Sequence, residues 1–361
     1  MAKKIIVSGG GTGGHLFPAI AIAQELKSRN PQDNILFVGA IGKMEMHLVP
    51  KAGFIIKGLW IDGLHRKMTL RNLLLPFKVL ISLLQSFLII KKFKPDVVIG
   101  TGGYASFPIL KLAQWLQVPT VIQEQNALVG MANRLLWKKA TKIFVAFEFS
   151  HSVPTKSLPM NLGIPLRYRI HKKQTDQKSA IIELGLDLNK KTLLVLGGSL
   201  GARAINEMIK EELGAMEQQR VQIIWQCGKL YARQYTKFNG KFIKVVPFIE
   251  EISLVYSAAD IIICRAGAST IAELACVGKP TIFIPSPNVA NNHQYHNALN
   301  LQKEDAAILL QEKELSKKFK TVWSDLLANP ERQKNLGMNF KSFARPQATK
   351  DIVNHLLNEV L

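Results

Sequence analysis

The sequence predicts an α/β protein built from two doubly wound, parallel-sheet domains that face each other across a cleft. Four segments share one pattern, in which a short run rich in Val and Ile meets a glycine-rich turn and then a helical stretch. Two of them fall in each half of the chain, at residues 3–15, 96–106, 192–203 and 260–270. Because strands and helices alternate at this spacing, we expect one parallel sheet in each half. Ligands of open α/β sheets bind at the carboxyl ends of the strands, so the glycine turns are the candidate site.

Further apolar runs predict the remaining strands, and apolar residues at helical spacing predict the helices between them. The expected strands are Asn34–Val38, Thr120–Gln123, Lys142–Ala146, Val221–Gln226, Phe242–Val246 and Thr281–Pro285. The expected helices are Pro18–Arg29, Ala202–Met216, Ser269–Val277, Gln294–Lys303 and a last one within Gln347–Leu361.

A proline cluster marks the expected domain boundary. Pro159 and Pro165 flank Gly163 within the stretch Thr155–Arg169. We therefore predict a first domain at residues 1–165 and a second at 166–344, with the helix at about 345–361 packing back on the first.

Charge is the unusual feature of the composition. The 361 residues include 47 Lys and Arg against 26 Asp and Glu, a net charge of +21. Such an excess predicts an anionic partner. No zinc finger or aromatic–basic pattern typical of nucleic-acid binding is visible, which ranks nucleic acid below a membrane surface. The three cysteines have no metal-ligand spacing and cannot form a disulfide framework, which is typical of a cytoplasmic protein.

The glycine turns predict anion binding, because backbone N–H groups at a helix N-terminus bind phosphate without side chains. Gly9, Gly11 and Gly14 loosely fit the dinucleotide-binding spacing, but no acid follows near residue 39 to read a ribose. No Lys-Ser or Lys-Thr pair follows the glycines, so a Walker A loop is excluded. Glu273, in the second turn of the helix after residue 267, suits the vicinal hydroxyls of a ribose.

Residues 65–94 combine apolar side chains with seven Lys and Arg and no acid. Lys78, Ser82, Gln85 and Ser86 form a polar stripe that argues against a helix embedded in lipid. Two interpretations remain, a buried helix of the α/β fold or a partly exposed apolar surface on an anionic bilayer. We expect the helix to be core and its basic flanks to face a membrane.

Five motifs, in order, resemble the MurG family of glycosyltransferases, within glycosyltransferase family 28. They are SGGGTGGHLFPAIAIA, PDVVIGTGGYAS, QEQNALVG, GGSLGARAIN and CRAGASTIAEL. The resemblance implies a GT-B fold and a hexosyltransferase that moves N-acetylglucosamine from its UDP carrier to lipid I, the undecaprenyl-pyrophosphoryl-muramyl pentapeptide, giving lipid II for peptidoglycan. It implies a peripheral protein on the cytoplasmic face of the plasma membrane, and allows contacts with other cell-wall enzymes.

The resemblance also assigns the donor site. Its UDP-sugar contacts fall on Thr12, Gly13, Gly14, Asn126, Arg167, Ser199, Ile249, Ala268, Ser269, Thr270, Ile271, Ala272, Glu273 and Gln294. We expect Ser199 and the helix start at Ala268 to hold the diphosphate, and the backbone at Ile249 to meet the uracil edge. The chain departs from the family pattern at Gln123, Ile164 and Leu200, where His, Asn and Gln are frequent.

The expected reaction is an inverting displacement, which needs a base and a stabilised leaving group. His15 is the first candidate base and Glu124 the second, each with a structural hydrogen-bonding role as the alternative. Tyr104 is a tentative acceptor contact. No Asp-x-Asp motif is present, so we expect neither metal nor cofactor.

Three alternatives stay open from sequence. One is a GT-B transferase with another sugar nucleotide or a glycerolipid acceptor. Another is a nicotinamide-dependent oxidoreductase, for which the missing ribose acid is the obstacle. The third is a non-catalytic peripheral membrane protein.

Overall fold

The computed structural model describes residues 2–63, 74–147, 157–166 and 175–361. The chain divides into two compact units. The N-terminal unit comprises Met1–Arg167 together with Arg345–Leu361, and the C-terminal unit comprises Tyr168–Ala344.

The N-terminal unit is a parallel sheet of seven strands in the order β3-β2-β1-β4-β5-β6-β7. The strands are β1 Lys4–Ser8, β2 Asn34–Ala40, β3 Ile55–Leu59, β4 Val97–Gly100, β5 Thr120–Glu124, β6 Lys142–Val145 and β7 Met160–Asn161. The helices of this unit are α1 Gly13–Arg29, α2 Glu45–Lys51, α3 Leu75–Phe93, α4 Ser106–Trp115, α5 Met131–Leu136 and, at the end of the chain, α14 Ala348–Glu359.

The two faces of this sheet are covered by different helices. One core joins strand residues to α3, α4 and α5, through Ile90, Ile109 and Leu136 among others. The other joins them to α1 and α14, where Ile352, Val353 and Leu356 are fully buried. The last helix is therefore part of the core of the N-terminal unit.

The C-terminal unit is a parallel sheet of six strands in the order β10-β9-β8-β11-β12-β13. The strands are β8 Lys191–Leu196, β9 Val221–Gln226, β10 Ile243–Val246, β11 Ile261–Cys264, β12 Thr281–Phe283 and β13 Ile308–Leu309. The helices are α6 Gln177–Glu183, α7 Arg203–Gln218, α8 Ala232–Tyr235, α9 Ile252–Ala258, α10 Ala268–Val277, α11 His293–Lys303, α12 Leu315–Ala328 and α13 Pro330–Ser342.

The sequence prediction of two doubly wound parallel sheets is confirmed. The four glycine-turn strands are β1, β4, β8 and β11, and in each sheet two of them are hydrogen-bonded neighbours. The helix after β1 leads to one side of its sheet and the helix after β4 to the other, and β8 and β11 repeat this arrangement. Each sheet thus has a topological switch point between two glycine turns, the place where open α/β sheets bind ligands.

The expectation that the helix within residues 65–94 belongs to the core is wrong for its apolar side, which is exposed. The helix α3 turns small polar side chains inward, with Ser82 and Ser86 fully buried, and large apolar side chains outward. Among the outward residues Phe77 is 64% exposed, Leu84 59% and Leu88 65%. The reason is that small polar side chains can pack between helices, so the pattern of a polar stripe on an apolar run does not say which side packs on α4.

The polar stripe of α3 anchors the helix to its own unit. Lys78 forms an ion pair with Asp62, and Gln85 Oε1 accepts the backbone N–H of Trp60 at 2.9 Å. Among the helices of the described ranges, none combines the length and apolar character needed to cross a bilayer. His65, Arg66, Lys67 and Arg71, part of the predicted basic flank, lie outside the described residues.

Candidate active site

His15 lies at the N-terminal switch point, in the first turn of α1. Its Nδ1 lies 3.1 Å from the backbone oxygen of Thr101 and 2.7 Å from Oε1 of Gln125. The Gln125 amide nitrogen donates to the backbone oxygens of Thr101 at 2.7 Å and Gln123 at 2.9 Å, which fixes the orientation of the amide. Since both neighbours of Nδ1 are acceptors, Nδ1 carries the ring proton. The neutral ring then has its acceptor lone pair on Nε2, as a general base requires.

Glu124, the second candidate base, is fully buried and held by its own loop. Its carboxylate accepts the backbone N–H of Asn126 at 3.0 Å, the Asn126 side-chain amide at 3.2 Å, the N–H of Gly130 at 2.9 Å and the Asn133 amide at 2.9 Å. These four donors tie the loop after β5 to the carboxylate and already stabilise its negative charge. The geometry therefore favours the structural role for Glu124, and it engages Asn126 as well.

Glu45 was not singled out from the sequence, yet it organises the first glycine turn. Its buried carboxylate accepts the N–H of Gly11 at 3.2 Å and that of Ala40 at 3.1 Å. A Cβ on Gly10 would lie 2.3 Å from Oε1 of Glu45, so any other residue here would have to displace the carboxylate. This acid follows β2, but because it is committed to the protein's own amides it does not supply the ribose acid that a nicotinamide-dependent enzyme needs.

The other residues assigned to this turn lie at the start of α1. Thr12 is the N-cap residue, its side chain makes no capping bond, and Gly13 and Gly14 begin the helix. Tyr104, from the turn after β4, is half-buried with its ring against Gly11. Burial, then the charges of Glu45 and Asp62, raise the pKa of Tyr104 to about 12.

Two helix N-termini meet the edge of the sheet at the C-terminal switch point. The helix α7 begins after the turn at residues 197–202, and α10 begins after Gly267. Neither N-terminus is capped by a side chain, and neither has an acidic residue in its first turn. Unpaired N–H groups and the positive end of the helix dipole favour an anion here. These features fit a nucleoside diphosphate.

Serine side chains and close backbone packing complete this switch point. Ser199 is exposed in the first turn, which is pressed against the turn after β9, where a Cβ on Gly228 would lie 2.1 Å from the Gly201 Cα. In the second turn, the Ser269 Oγ is buried and has no hydrogen-bond partner within the described part of the chain. A phosphate oxygen is an acceptor that its hydroxyl can satisfy.

The residues assigned from Ala268 to Glu273 fall into two groups, those in the first turn of α10 and those beyond it. Ala268, Ser269 and Thr270 form the first turn, where N–H groups point out of the helix end. By contrast, the Ile271 side chain is buried and its N–H donates to Gly267 at 2.9 Å within the helix. The half-buried Glu273, one turn after Ser269 and Thr270, accepts a hydrogen bond from the Tyr256 hydroxyl at 3.0 Å. Ala272 is half-buried and offers no polar side chain.

Two more assigned residues have internal partners. The N–H of Ile249 donates to Oε1 of Gln226 at 3.1 Å, so a uracil edge at this residue must use its carbonyl or displace Gln226. Oε1 of Gln294 accepts the N–H of Ser286 at 2.8 Å, which orients the Gln294 amide group.

Arg265, the residue after β11, is a cation near this switch point, but its contacts lie within its own unit. It forms an ion pair with Glu312 and donates to the backbone oxygen of Ile284 at 3.0 Å. Arg167 lies outside the described residues. Within the described ranges, no three His, Cys, Asp or Glu side chains are grouped so that they could hold a metal ion.

Sequence reasoning missed Glu45, Gln125, Gln226 and Tyr256, which form hydrogen bonds with Gly11, His15, Ile249 and Glu273, respectively. Each acts across a large separation in sequence, for example 110 residues between His15 and Gln125 and 34 between Gly11 and Glu45. For Gln125, its place inside the QEQN motif was an available signal. The other three carry no local signal of their role.

Comparison with known proteins supports the resemblance. The model of the glycosyltransferase family 28 N-terminal domain matches residues 5–145, and that of the C-terminal domain matches residues 192–352. The chain is 54% identical over 358 residues to a protein of Flavobacterium psychrophilum named UDP-N-acetylglucosamine--N-acetylmuramyl-(pentapeptide) pyrophosphoryl-undecaprenol N-acetylglucosamine transferase, covering 99% of this chain and 98% of that protein. It is 48% identical to the protein of the same name from Christiangramia forsetii, covering 98% and 96%.

A solved structure agrees over nearly the whole chain. The crystal structure of Acinetobacter baumannii MurG is similar with a TM-score of 0.80 at 28% identity, covering 98% of this chain and 99% of that chain. The family resemblance and the prediction of a GT-B architecture with two Rossmann-like domains are thus confirmed. The chain belongs to glycosyltransferase family 28.

Proposed function

We propose that the protein transfers N-acetylglucosamine from UDP-N-acetylglucosamine to the muramyl 4-hydroxyl of lipid I, which gives lipid II. The names of its most similar relatives support this donor and acceptor. The observation that carries the proposal is the chemical difference between the switch points. The C-terminal one presents two uncapped helix N-termini to an anion, and the N-terminal one, where α1 is likewise uncapped, adds an oriented imidazole.

The C-terminal switch point suits the departure of UDP. As the bond between the anomeric carbon and the diphosphate oxygen breaks, the electron pair stays on the diphosphate. N–H groups at the starts of α7 and α10, with the Ser199 and Ser269 hydroxyls, would stabilise that charge. Because these donors belong to the chain, we propose that the reaction needs no metal.

His15 suits the activation of the acceptor. Nε2 would take the proton of the muramyl 4-hydroxyl while its oxygen attacks the anomeric carbon from the side opposite UDP, which converts the α-linkage into a β-1,4 bond. The imidazolium that forms keeps its Nδ1–H bonded to Gln125 and Thr101. Acceptors at this position stabilise the positive ring, as the third member of a triad does.

We further propose that the protein attaches peripherally to the cytoplasmic face of the plasma membrane through the outward side of α3. Phe77, Leu80, Leu84 and Leu88 are each more than half exposed there. Lys91, Lys92 and Lys94 follow at the end of the helix and are exposed. Apolar insertion and about 1 kcal/mol per basic residue near an anionic surface would together give reversible attachment.

Transfer of labelled N-acetylglucosamine from its UDP form to a lipid I analogue, with a chelator present, tests donor, acceptor and metal independence together. We expect labelled lipid II. Transfer only to other acceptors would discard the acceptor assignment, and activity that appears only with added magnesium would overturn the metal-free proposal.

Flotation with vesicles tests the membrane surface. We expect the protein to float with vesicles containing phosphatidylglycerol, and Leu84→Glu to reduce the bound fraction severalfold. Ile182→Glu, at a residue 62% exposed in the C-terminal unit, is the matched control. Equal losses in both variants, or no loss in either, would contradict a role for α3.

A further inference from the structure

Tyr256 is a buried residue outside the motifs whose hydroxyl reaches the candidate ribose-binding acid. It lies on α9 and is 3% exposed. Its hydroxyl lies 3.0 Å from Oε2 of Glu273, which is half-buried on α10. A rigid ring on one helix therefore holds a carboxylate on the next.

The direction of this hydrogen bond is set by the surroundings of the phenol. Burial, with the neighbouring charge of Glu273, raises the pKa of Tyr256 well above its usual value. The hydroxyl thus keeps its proton at physiological pH, and the carboxylate is the acceptor. A hydrogen bond to a charged group is stronger than one between neutral groups, so it restricts rotation of the carboxylate about its terminal bond.

An oriented carboxylate is what recognition of a vicinal diol requires. Two adjacent hydroxyls must donate to the carboxylate along fixed directions, and a carboxylate has about four acceptor sites. Tyr256 uses one of them and sets the plane of the carboxylate. A carboxylate free to rotate would lose conformational freedom on binding, and this loss lowers affinity.

We propose that Tyr256 is a positioning residue for the nucleotide: it does not touch the ribose, but it orients Glu273 to accept both ribose hydroxyls of UDP. This rests on the proposed function, because the ribose role of Glu273 is part of it. The proposal deepens that function by adding a determinant of ribose recognition.

The same unit contains a matched control. Tyr235 is fully buried, and its hydroxyl has no hydrogen-bond partner among the residues that the structure describes. Tyr235→Phe therefore removes the same atom as Tyr256→Phe from a similar environment, without releasing a carboxylate.

The experiment is calorimetric binding of UDP and of 2′,3′-dideoxy-UDP to the full-length protein and to three variants, Tyr256→Phe, Tyr235→Phe and Glu273→Gln. We expect Tyr256→Phe to weaken UDP binding about tenfold. Its binding of the dideoxy nucleotide should not change. Tyr235→Phe should leave both nucleotides unaffected, and Glu273→Gln should remove most of the preference for UDP.

Other outcomes separate the explanations. If Tyr256→Phe weakens the binding of both nucleotides equally, Tyr256 supports the fold only. If it weakens the binding of neither nucleotide, Tyr256 does not position Glu273. If the unchanged protein binds both nucleotides equally, the ribose role of Glu273 fails and this proposal fails with it. None of these measurements needs an acceptor, so they are independent of whether lipid I is the natural one.

A kinetic measurement covers the case in which Tyr256→Phe lowers stability. At a temperature where this variant remains folded, we expect its KM for UDP-N-acetylglucosamine to rise while kcat stays within about twofold. A fall in kcat with unchanged KM would overturn the positioning role.

Discussion

The two switch points share a topology but differ in what fills them. In the N-terminal unit the protein's own side chains occupy the turns, with Glu45 on the amide of Gly11 and Gln125 on the ring of His15. The helices α1, α7 and α10 all begin without a capping side chain or an acid in the first turn, so the difference between the units lies in the side chains that Glu45 and Gln125 add to the N-terminal turns. Hydrogen-bond acceptors from side chains therefore surround the N-terminal turns, and backbone N–H donors predominate at the C-terminal turns.

This difference shows that a glycine turn before a helix does not define its ligand. The backbone N–H groups of such a turn attract an anion where no carboxylate is near. Where a buried carboxylate such as Glu45 already accepts a hydrogen bond from the turn, its charge repels a second anion. In the N-terminal unit the local groups favour a proton on Nδ1 of His15 and a basic Nε2. The two turns thereby acquire different chemistry within one architecture.

The strongest test of the N-terminal side is His15→Ala. If Nε2 is the base, kcat should fall about 10²- to 10⁴-fold, while UDP binding, measured by calorimetry, stays unchanged. His355→Ala, in a half-buried residue of α14 paired with Glu359, is the control and should keep full activity. A loss below tenfold in a folded His15 variant would remove the ring from the mechanism.

The C-terminal side can be made to resemble the N-terminal one by Ser269→Asp. A carboxylate at the start of α10 would occupy the place of the diphosphate, and its repulsion should weaken UDP binding roughly ten- to a hundredfold. The neutral Ser269→Asn is the control for size. Uridine, which has no phosphate, should bind all three proteins alike. If Ser269→Asp weakened the binding of uridine as much as that of UDP, the effect would be steric rather than electrostatic.

A smaller effect is expected from Gln125→Met, which removes the side-chain acceptor of Nδ1 but keeps the size of the residue. We expect kcat to fall about tenfold with KM for the donor unchanged, since Thr101 still accepts from Nδ1. Gln114→Met removes another buried amide of the same unit, one that bonds the backbone oxygen of Leu136, and should leave kcat unchanged.

The tautomer itself can be observed by nitrogen NMR of the histidine rings, with His15 identified from its variant. We expect a protonated Nδ1 in the unchanged protein and a larger Nε2–H population in Gln125→Met. An Nε2–H ring in the unchanged protein would contradict the assigned base whatever the kinetics show.

The smallest effect concerns Tyr104. Its neutral form is favoured by burial and by Glu45 and Asp62, which raise its pKa to about 12, so its ionisation comes at higher pH than usual. It should therefore contribute no alkaline limb to the activity profile below about pH 11. Asp62→Asn removes one of the two charges and should shift the pKa slightly downward in an ultraviolet titration. An unperturbed titration of Tyr104 in the unchanged protein would contradict a negatively charged N-terminal site.

The strands and glycine turns could be predicted from the sequence because buried parallel strands are continuous apolar runs that end at a sharp turn. The prediction failed where the information is not local. The helix α3 carries a polar stripe on an otherwise apolar run, and only its packing against α4 decides that Ser82 and Ser86 face inward. Likewise, the hydrogen bond from His15 to Gln125 depends on the order β1-β4-β5 in the sheet, which the sequence of no single segment expresses.

The packing of α14 has a consequence for biosynthesis. The ribosome releases residues in order, so Ile352, Val353 and Leu356 emerge only after the whole of the C-terminal unit. Until then, one face of the first sheet lacks part of its core. The C-terminal unit is continuous in sequence and needs no later segment. The unit that is translated first is therefore the unit that is completed last, and a nascent chain presents a finished C-terminal unit before it presents a finished N-terminal unit.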